Sequence, residues 1–278
     1  MLTVATWNIG LARLTLLGIP LVDAVPHAAA RMRPIAEALA ARRDEVDIWL
    51  LQEAYGPPIR RLLRAVPGYH AVLGPGWMRD CGLCILVRDD WETGSSRHRL
   101  FPANDWVEVL VAAKGVLTAE IMTPLGLLRL GTLHASYDGR GRRSIREKAP
   151  LSRRRQAGIA KDLMEAGDAT PLILGGDFNA SLAAEPETHR SITGRGWRDL
   201  ALTANRRTGN GLTTWASGNR LASGDSRDHD IDLLVAKNLP EDWTVAAEVF
   251  MHENILSRPD GDALPLSDHH ALKVTLSA

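Results

Sequence analysis

Short runs of apolar residues, rich in valine, isoleucine and leucine, recur along the chain at the length of a β-strand. Glycine, proline, aspartate or asparagine bounds most of these runs, which is typical of strands that end in turns. The pattern predicts strands at Leu2–Ile9, Val46–Gln52, Leu83–Val87, Val107–Ala112, Leu127–Leu133, Leu172–Leu174, Ile231–Val235 and Ala271–Leu276.

Two segments between these runs carry apolar residues at helical spacing. From His27 to Arg43 the apolar positions recur every three or four residues, and arginines occupy much of the remaining surface. A second helix is predicted from about Ser152 to Ala166, with Ser152 as its N-cap. Strands thus alternate with helices. Since no low-complexity linker or change of composition divides the chain, we expect a single domain over residues 1–278.

Polar side chains stand at one end of several of the apolar runs: some end a run, Asp232 opens one, and Asp268 and His269 precede the last. Burying a polar group without a partner is costly, so a polar residue in such a context needs an explanation. The carboxyl ends of strands are also where open sheets and sandwiches present their sites. The residues in question are Asn8, Glu53, His134, Asp177, Asn179, Asp232, Asp268 and His269.

Together these side chains have the chemistry of a phosphoester hydrolase. Carboxylate and amide oxygens suit a hard cation such as Mg²⁺ or Mn²⁺. A histidine steadied by a carboxylate can take a proton from water, and neutral donors can hold the phosphate oxygens. A thiolate or zinc site is disfavoured because Cys81 and Cys84 would point to opposite faces of a strand.

The charge is balanced overall and segregated locally. Lys+Arg and Asp+Glu both number 33, so no global basic field indicates nucleic acid as a partner. Between Arg140 and Arg155, however, there are eight basic residues and a single acid, Glu147. This run has two interpretations, which are a solvated loop and helix face or a surface that contacts a polyanion.

The sequence has no recognisable targeting or membrane segment. The amino-terminal residues lack a basic region followed by a small-residue cleavage site. The longest apolar candidate, Leu14–Val25, is broken by Pro20 and Asp23. A cytoplasmic location is the expectation.

Six short motifs occur in a fixed order over residues 6–269 and resemble those of the endonuclease/exonuclease/phosphatase superfamily, which has the deoxyribonuclease I-like fold. They are Thr6-Trp7-Asn8-Ile9, Leu51-Gln52-Glu53, Thr132-Leu133-His134, Gly176-Asp177-Phe178-Asn179, Ile231-Asp232 and Ser267-Asp268-His269. The resemblance implies an α+β fold with four α/β/β/α layers, in which helices flank two mixed β-sheets.

The resemblance also implies a role for each residue. Glu53 would be the principal ligand of Mg²⁺ or Mn²⁺, with Asn8 and Asp268 completing the shell.

The remaining residues would carry the catalysis. His269 would be the general base, oriented by Asp232. Asn179 and His134 would contact the scissile phosphate. Asp177 would position the nucleophile or assist the leaving oxygen.

The chain departs from the pattern at two positions. Asp230 stands where members of the superfamily often have an arginine, and a solvated loop is the favoured interpretation of this acid over a second cation site. Some branches carry a second carboxylate that supports the first histidine, and Asp80 is a candidate for that role.

Several substrates remain open. His134, and Ala54-Tyr55 after Glu53, disfavour abasic-site repair. The first reading is a nuclease or other phosphodiesterase that uses the Arg140–Arg155 run on a polyanion. The second is a sphingomyelinase-like phospholipid phosphodiesterase in which Leu11–Val25 touches lipid. The third is a phosphomonoesterase acting on inositol phosphates or small metabolites. A non-catalytic binding module on the same fold is a remote alternative, and no protein partner is inferred.

Overall fold

The computed structural model describes the chain except residues 17–18, 77–79, 104–112, 138–142, 168–169, 209–211, 223–227 and 258–262. The helices are α1 (Ala28–Ala41), α2 (Pro57–Leu63), α3 (Arg143–Met164), α4 (Pro186–Thr193) and α5 (Leu200–Thr203). The strands are β1 (Leu2–Asn8), β2 (Arg13–Leu16), β3 (Ile19–Asp23), β4 (Ile48–Gln52), β5 (Tyr69–Leu73), β6 (Cys84–Arg88), β7 (Glu92–Leu100), β8 (Gly115–Thr123), β9 (Gly126–His134), β10 (Leu172–Asp177), β11 (Arg198–Asp199), β12 (Arg206–Thr208), β13 (Asp232–Lys237), β14 (Thr244–Phe250), β15 (Asn254–Ser257), β16 (Ala263–Pro265) and β17 (Ala271–Ser277).

Two mixed sheets form the centre of the molecule. Sheet 1 has the order β12-β14-β17-β1-β4-β6-β5, and sheet 2 has the order β11-β13-β10-β9-β8-β7. β1 pairs in parallel with β4 and antiparallel with β17. In sheet 2, β10 pairs in parallel with β9 and antiparallel with β13. Residues of β1, β4, β10 and β13 are thereby delivered to the same region of the fold.

The hydrophobic clusters define four layers. Between the sheets lie aliphatic side chains such as Val4, Leu50 and Ile173. On the outer face of sheet 1, a second cluster includes Trp7, Trp49 and side chains of α1 and α2. On the outer face of sheet 2, a third cluster joins strand residues to side chains of α3 and α4. The expected α/β/β/α sandwich of two mixed sheets flanked by helices is confirmed.

The element boundaries differ from the predictions where local chemistry misleads. α3 begins at Arg143, so Ser152 lies inside the helix and is not its N-cap. Pro150 lies within α3, at a place where a proline normally indicates a helix end. β7 carries mostly polar, exposed residues and has no apolar pattern. The predicted strand Val107–Ala112 lies outside the described residues.

Four other expectations concern membrane spans, cellular location, domain number and the cysteines. Among the helices within the described ranges, none is both long and apolar enough to span a bilayer. The cytoplasmic location and the single domain stay predictions. Cys81 and Cys84 are buried free thiols, one in the cluster between the sheets and the other in the cluster outside sheet 1. Burial raises the pKa of Cys81 to about 11 and makes it a poor nucleophile.

Candidate active site

Strand register brings three of the predicted residues side by side at one edge of sheet 2. Asp177 ends β10, and its direct neighbours are His134 at the end of β9 and Asp232 at the start of β13. All three side chains are buried. His134 Nε2 lies 3.4 Å from Asp177 Oδ2.

Sheet 1 contributes Asn8 and Glu53 to the same place. Asn8, at the end of β1, donates from Nδ2 to Asp177 Oδ2 at 3.0 Å and so connects the two sheets. Glu53 follows β4 with φ +59°, a left-handed conformation that turns the chain sharply at the strand end. Its Oε2 accepts from the Ala12 amide at 3.3 Å, and its Oε1 lies 3.8 Å from His134 Nε2.

The loop before β17 carries Asp268 and His269, and hydrogen bonds fix it to β1. Ser267 Oγ donates to the Asn8 carbonyl at 2.6 Å, and Trp7 Nε1 donates to the His269 carbonyl at 3.0 Å. The Gly10 position adjoins this loop, because a Cβ there would lie 2.5 Å from Asp268 Oδ1. The loop therefore has little freedom relative to Asn8.

His269 and Asp232 form a buried ion pair. Nδ1 of His269 lies 2.7 Å from Asp232 Oδ2, and since a carboxylate only accepts, Nδ1 is the donor. Nε2 is left facing the site, 3.9 Å from Asp177 Oδ2. Burial alone would lower the pKa of His269, but the charge and hydrogen bond of Asp232 raise it to about 10, helped by Asp268 and Asp177.

Asp177 is buried among several charged groups. Desolvation and repulsion from Asp232 raise its pKa to about 7, against the attraction of His269 and Lys114. Oδ1 accepts from the Asn179 amide at 2.8 Å. Asn179 has φ +52° and donates from Nδ2 to the Ala135 carbonyl at 3.0 Å, so it too is held beside Asp177.

Lys114 is a site residue that the strand-end pattern does not reveal. Its side chain is buried, and Nζ lies 2.6 Å from His134 Nε2. Desolvation, followed by the charges of Lys114 and His269, keeps the pKa of His134 well below its usual range. His134 is therefore a neutral imidazole. A lysine just before β8 has no sequence feature that distinguishes it from a surface lysine.

Trp215 is a second residue that the sequence did not single out. Its ring packs edge-on against the His269 imidazole, with ring centroids 5.0 Å apart. The half-buried indole thus forms a wall beside the proposed base.

Asp80 and Asp230 differ from their predicted roles. Asp80 accepts from the amides of Gly56 and Gly82 and pairs with Arg60 at 3.2 Å, so it clamps the loop after Glu53 instead of supporting His134. Asp230 is half-buried, not part of a solvated loop, and desolvation raises its pKa.

The basic run Arg140–Arg155 is only partly a free surface. Arg153 is buried, pairs with Glu185 and donates to the Ser136 carbonyl at 3.0 Å. Arg154 pairs with Glu187 at 3.3 Å. Lys148 and Arg155 are exposed, while Arg140, Arg142 and the side chains of Arg143 and Arg146 lie outside the described residues.

The donors at this edge fit a hard divalent cation. Within the described part of the chain, the His, Cys, Asp and Glu side chains that form a group of three with ligand atoms all within 4.8 Å of one another are Asp177, Asp232 and His269, and the predicted carboxylate ligands Glu53 and Asp268 are not among them. The His269–Asp232 hydrogen bond already uses two of these groups, but Asp232 Oδ1 is buried without a hydrogen-bond partner among the described residues. Desolvation and repulsion from Glu53 raise the pKa of Asp268 although His269 and Arg31 lower it. A cation would relieve this excess of buried carboxylates.

Comparisons with known proteins agree with this geometry. A sequence profile of the Endonuclease/Exonuclease/phosphatase family matches residues 5–269. No curated protein sequence matches the chain. Truncated Caenorhabditis elegans TDP2 has a TM-score of 0.70 at 18% identity, over 100% of this chain and 98% of that one. D. rerio TDP2 complexed with single strand DNA product has a TM-score of 0.70 at 20% identity, over 100% of this chain and 99% of that one. A mannosyl-6-phosphatase from Bacteroides thetaiotaomicron scores 0.68 at 19% identity, over 100% of both chains. At these identities the structures show a shared fold.

Proposed function

The chain belongs to the endonuclease/exonuclease/phosphatase family, and we propose that it is a divalent-metal-dependent phosphoester hydrolase that acts on phosphodiesters, with nucleic acid as the first candidate. The observation that carries the proposal is the buried pair of His269 and Asp232. Its hydrogen bond of 2.7 Å fixes the imidazole and leaves Nε2 facing Asp177, where a water could be deprotonated.

Glu53, Asp268 and Asn8 would hold the cation. Mg²⁺ or Mn²⁺ bound there would polarise a phosphate oxygen and offset the negative charge of the site. That offset matters for His269, because surrounding carboxylates raise its pKa to about 10 and so favour the protonated form at neutral pH. Charge compensation makes the imidazole available as a base.

Lys114, His134 and Asn179 would hold the non-bridging phosphate oxygens. The Lys114 ammonium is buried beside His134, whose imidazole is neutral. Asn179 uses one of its two amide hydrogens on the Ala135 carbonyl and has the other for a ligand. Preorganised donors of this kind stabilise charge that develops during attack on phosphorus.

Asp177 is suited to proton transfer at the leaving oxygen. In the metal-free protein its pKa is about 7, so both protonation states are populated near neutral pH. A protonated Asp177 can give its proton to the departing oxygen and return to the carboxylate that Asn8 holds.

One structural neighbour supports the substrate assignment, whereas a second neighbour and one feature of the chain oppose it. The neighbour from D. rerio is complexed with single strand DNA product. The mannosyl-6-phosphatase neighbour favours a second candidate, a phosphomonoesterase. The inward orientation of Arg153 also favours that candidate, because it removes one cation from the surface that would contact a polyanion.

The test compares diester and monoester turnover by the wild type and by His269→Ala. Bis-p-nitrophenyl phosphate, p-nitrophenyl phosphate, single-stranded DNA and sphingomyelin vesicles are assayed with Mg²⁺ and with EDTA. We expect Mg²⁺-dependent diester turnover that His269→Ala reduces about 10²- to 10⁴-fold. His270→Ala is the matched control, because the His270 ring packs on His252.

The outcomes distinguish the alternatives. Turnover of the monoester alone would establish the phosphatase. DNA cleavage that declines steeply with salt would support the nuclease. Hydrolysis of sphingomyelin vesicles alone would point to the lipid substrate. Full activity in His269→Ala would refute the assignment of the base. A wild type that neither binds a divalent cation nor hydrolyses any of these substrates would indicate a non-catalytic binding module.

A further inference from the structure

One buried arginine connects the segments that carry two of the proposed metal ligands. We propose that Arg31 of α1 is a positioning residue that sets the distance between Asn8 and Asp268, and hence the affinity of the site for a divalent cation. The proposal rests on the proposed function, because it takes these two residues as ligands.

The guanidinium of Arg31 is fully buried, with 0% exposure. It lies among backbone carbonyl oxygens and donates to several of them at once. Nη1 donates to the Leu266 carbonyl at 2.6 Å, immediately before Ser267 and Asp268. The other acceptors are the carbonyls of Ile9 at 3.1 Å, Pro26 at 3.1 Å, Val25 at 3.4 Å and Gly10.

Gly10 links the backbone held by Arg31 to both proposed ligands, Asn8 and Asp268. Its amide donates to Asn8 Oδ1 at 3.0 Å, which orients the side chain whose other end bonds Asp177. Gly10 has φ +59°, and a Cβ there would meet Asp268 Oδ1 at 2.5 Å. The backbone that Arg31 holds therefore lies directly against the Asp268 carboxylate.

A lysine at position 31 would keep the charge and lose the geometry. Arginine presents its donors in a planar fork, whereas an ammonium is a point donor that cannot reach carbonyls on three segments at once. The unbonded carbonyls would separate, and Asn8 and Asp268 would lose their fixed spacing.

Arg153 of α3 offers a matched control. It is also buried, at 2% exposure, and also donates to a carbonyl, that of Ser136 at 3.0 Å. The Ser136 loop follows His134 on sheet 2 and carries none of the proposed metal ligands. Arg153→Lys should therefore disturb packing to a similar degree without moving those ligands.

The experiment measures Mn²⁺ affinity by isothermal titration calorimetry, so it does not depend on catalysis. Circular dichroism and thermal unfolding establish that each variant is folded. We expect Arg31→Lys to weaken Mn²⁺ binding about 10- to 100-fold, as is typical of groups that orient metal ligands. We expect Arg153→Lys to change it less than about twofold, since its contacts lie elsewhere.

Equal Mn²⁺ affinity in folded Arg31→Lys and wild type would overturn the proposal, as would an equal weakening by Arg153→Lys. If Arg31→Lys does not fold, the Mn²⁺ affinity of Gly10→Ala tests the proposal in its place. Its methyl group should displace Asp268 and weaken Mn²⁺ binding, and wild-type affinity in that variant would overturn the proposal. A wild type that binds no Mn²⁺ would refute the proposed metal-dependent function itself. If the wild type binds Mn²⁺ and hydrolyses phosphodiesters, a failed prediction would concern the role of Arg31 alone.

Discussion

Replacing Asp232 with asparagine removes the anion beside His269 at almost constant side-chain volume. The Asp232 carboxylate accepts the Nδ1 proton at 2.7 Å in a setting where both side chains are buried. An asparagine keeps the shape and removes the charge. Any change in the imidazole can therefore be attributed to electrostatics and hydrogen bonding.

The expected change in the free energy of unfolding follows from the pKa of His269. Burial lowers it, yet Asp232, with smaller help from Asp268 and Asp177, brings it to about 10 from an ordinary value of 6.5. At about 1.4 kcal/mol per pH unit, this difference corresponds to at most about 5 kcal/mol. Removing one partner of a buried pair typically costs about 3–5 kcal/mol, which agrees.

The sign of the pH dependence is fixed by the direction of the shift. The pKa of His269 is higher in the folded than in the unfolded protein, so the pair contributes its full stability below about pH 6.5. That contribution disappears as the pH rises through about 10. The free energy of unfolding should therefore differ between wild type and Asp232→Asn by about 3–5 kcal/mol at pH 6 and by much less above pH 10.

Two measurements test the prediction on metal-free protein. The proton resonances of the His269 ring should titrate near pH 10 in the wild type and move toward 6.5 in Asp232→Asn. Urea unfolding of wild type and Asp232→Asn should give a difference in the free energy of unfolding of about 3–5 kcal/mol at pH 6 and a much smaller one at pH 10. An unchanged His269 titration in the variant, or equal differences at both pH values, would refute the reasoning.

Three further changes test other parts of the site. Glu53→Gln should raise the Mg²⁺ concentration for half-maximal activity about 10- to 100-fold, and an unchanged metal titration would contradict its role as a ligand. Lys114→Met should reduce kcat about 10²-fold and raise the pKa of His134 because a nearby cation is lost, as kinetics and ring-proton titration would show. Gly176→Ala should destabilise the fold by more than about 3 kcal/mol in urea unfolding, because its Cβ would lie 2.0 Å from the Leu133 carbonyl. Gly158→Ala in α3 is its control, which meets nothing within 4 Å and should stabilise the protein by about 0.5–1 kcal/mol.

The sequence predicts which polar residues lie close together where polarity interrupts an apolar strand. Asn8 and Asp177 each end a buried strand and Glu53 directly follows one, and burying such polar groups is costly unless they find partners. Strand ends converge in a sandwich, so the meeting place follows from the fold class. The pairing of His269 with Asp232 came from the family resemblance and stays a proposal in its catalytic role.

The sequence fails where tertiary contacts reverse a local preference. Arg153 belongs to a basic run that looks solvated, but its partner Glu185 lies 32 residues further along the chain. Lys114 is buried because His134 and Asp177 are there to meet it, which no local pattern reveals. The predicted start of α3 at Ser152 is wrong for a similar reason: a serine typical of an N-cap lies inside a helix that begins at Arg143 and includes Pro150.

The position of β17 has a consequence for how the protein is made. This strand lies in the middle of sheet 1, between β1 and β14, with Leu276 opposite Leu2. A nascent chain leaving the ribosome cannot complete that sheet until residues 271–277 have been synthesised, because β1 pairs with β17. Asp268 and His269 emerge just ahead of them. The proposed active site therefore cannot assemble before these residues have been synthesised, and a chain truncated before Asp268 should lack it.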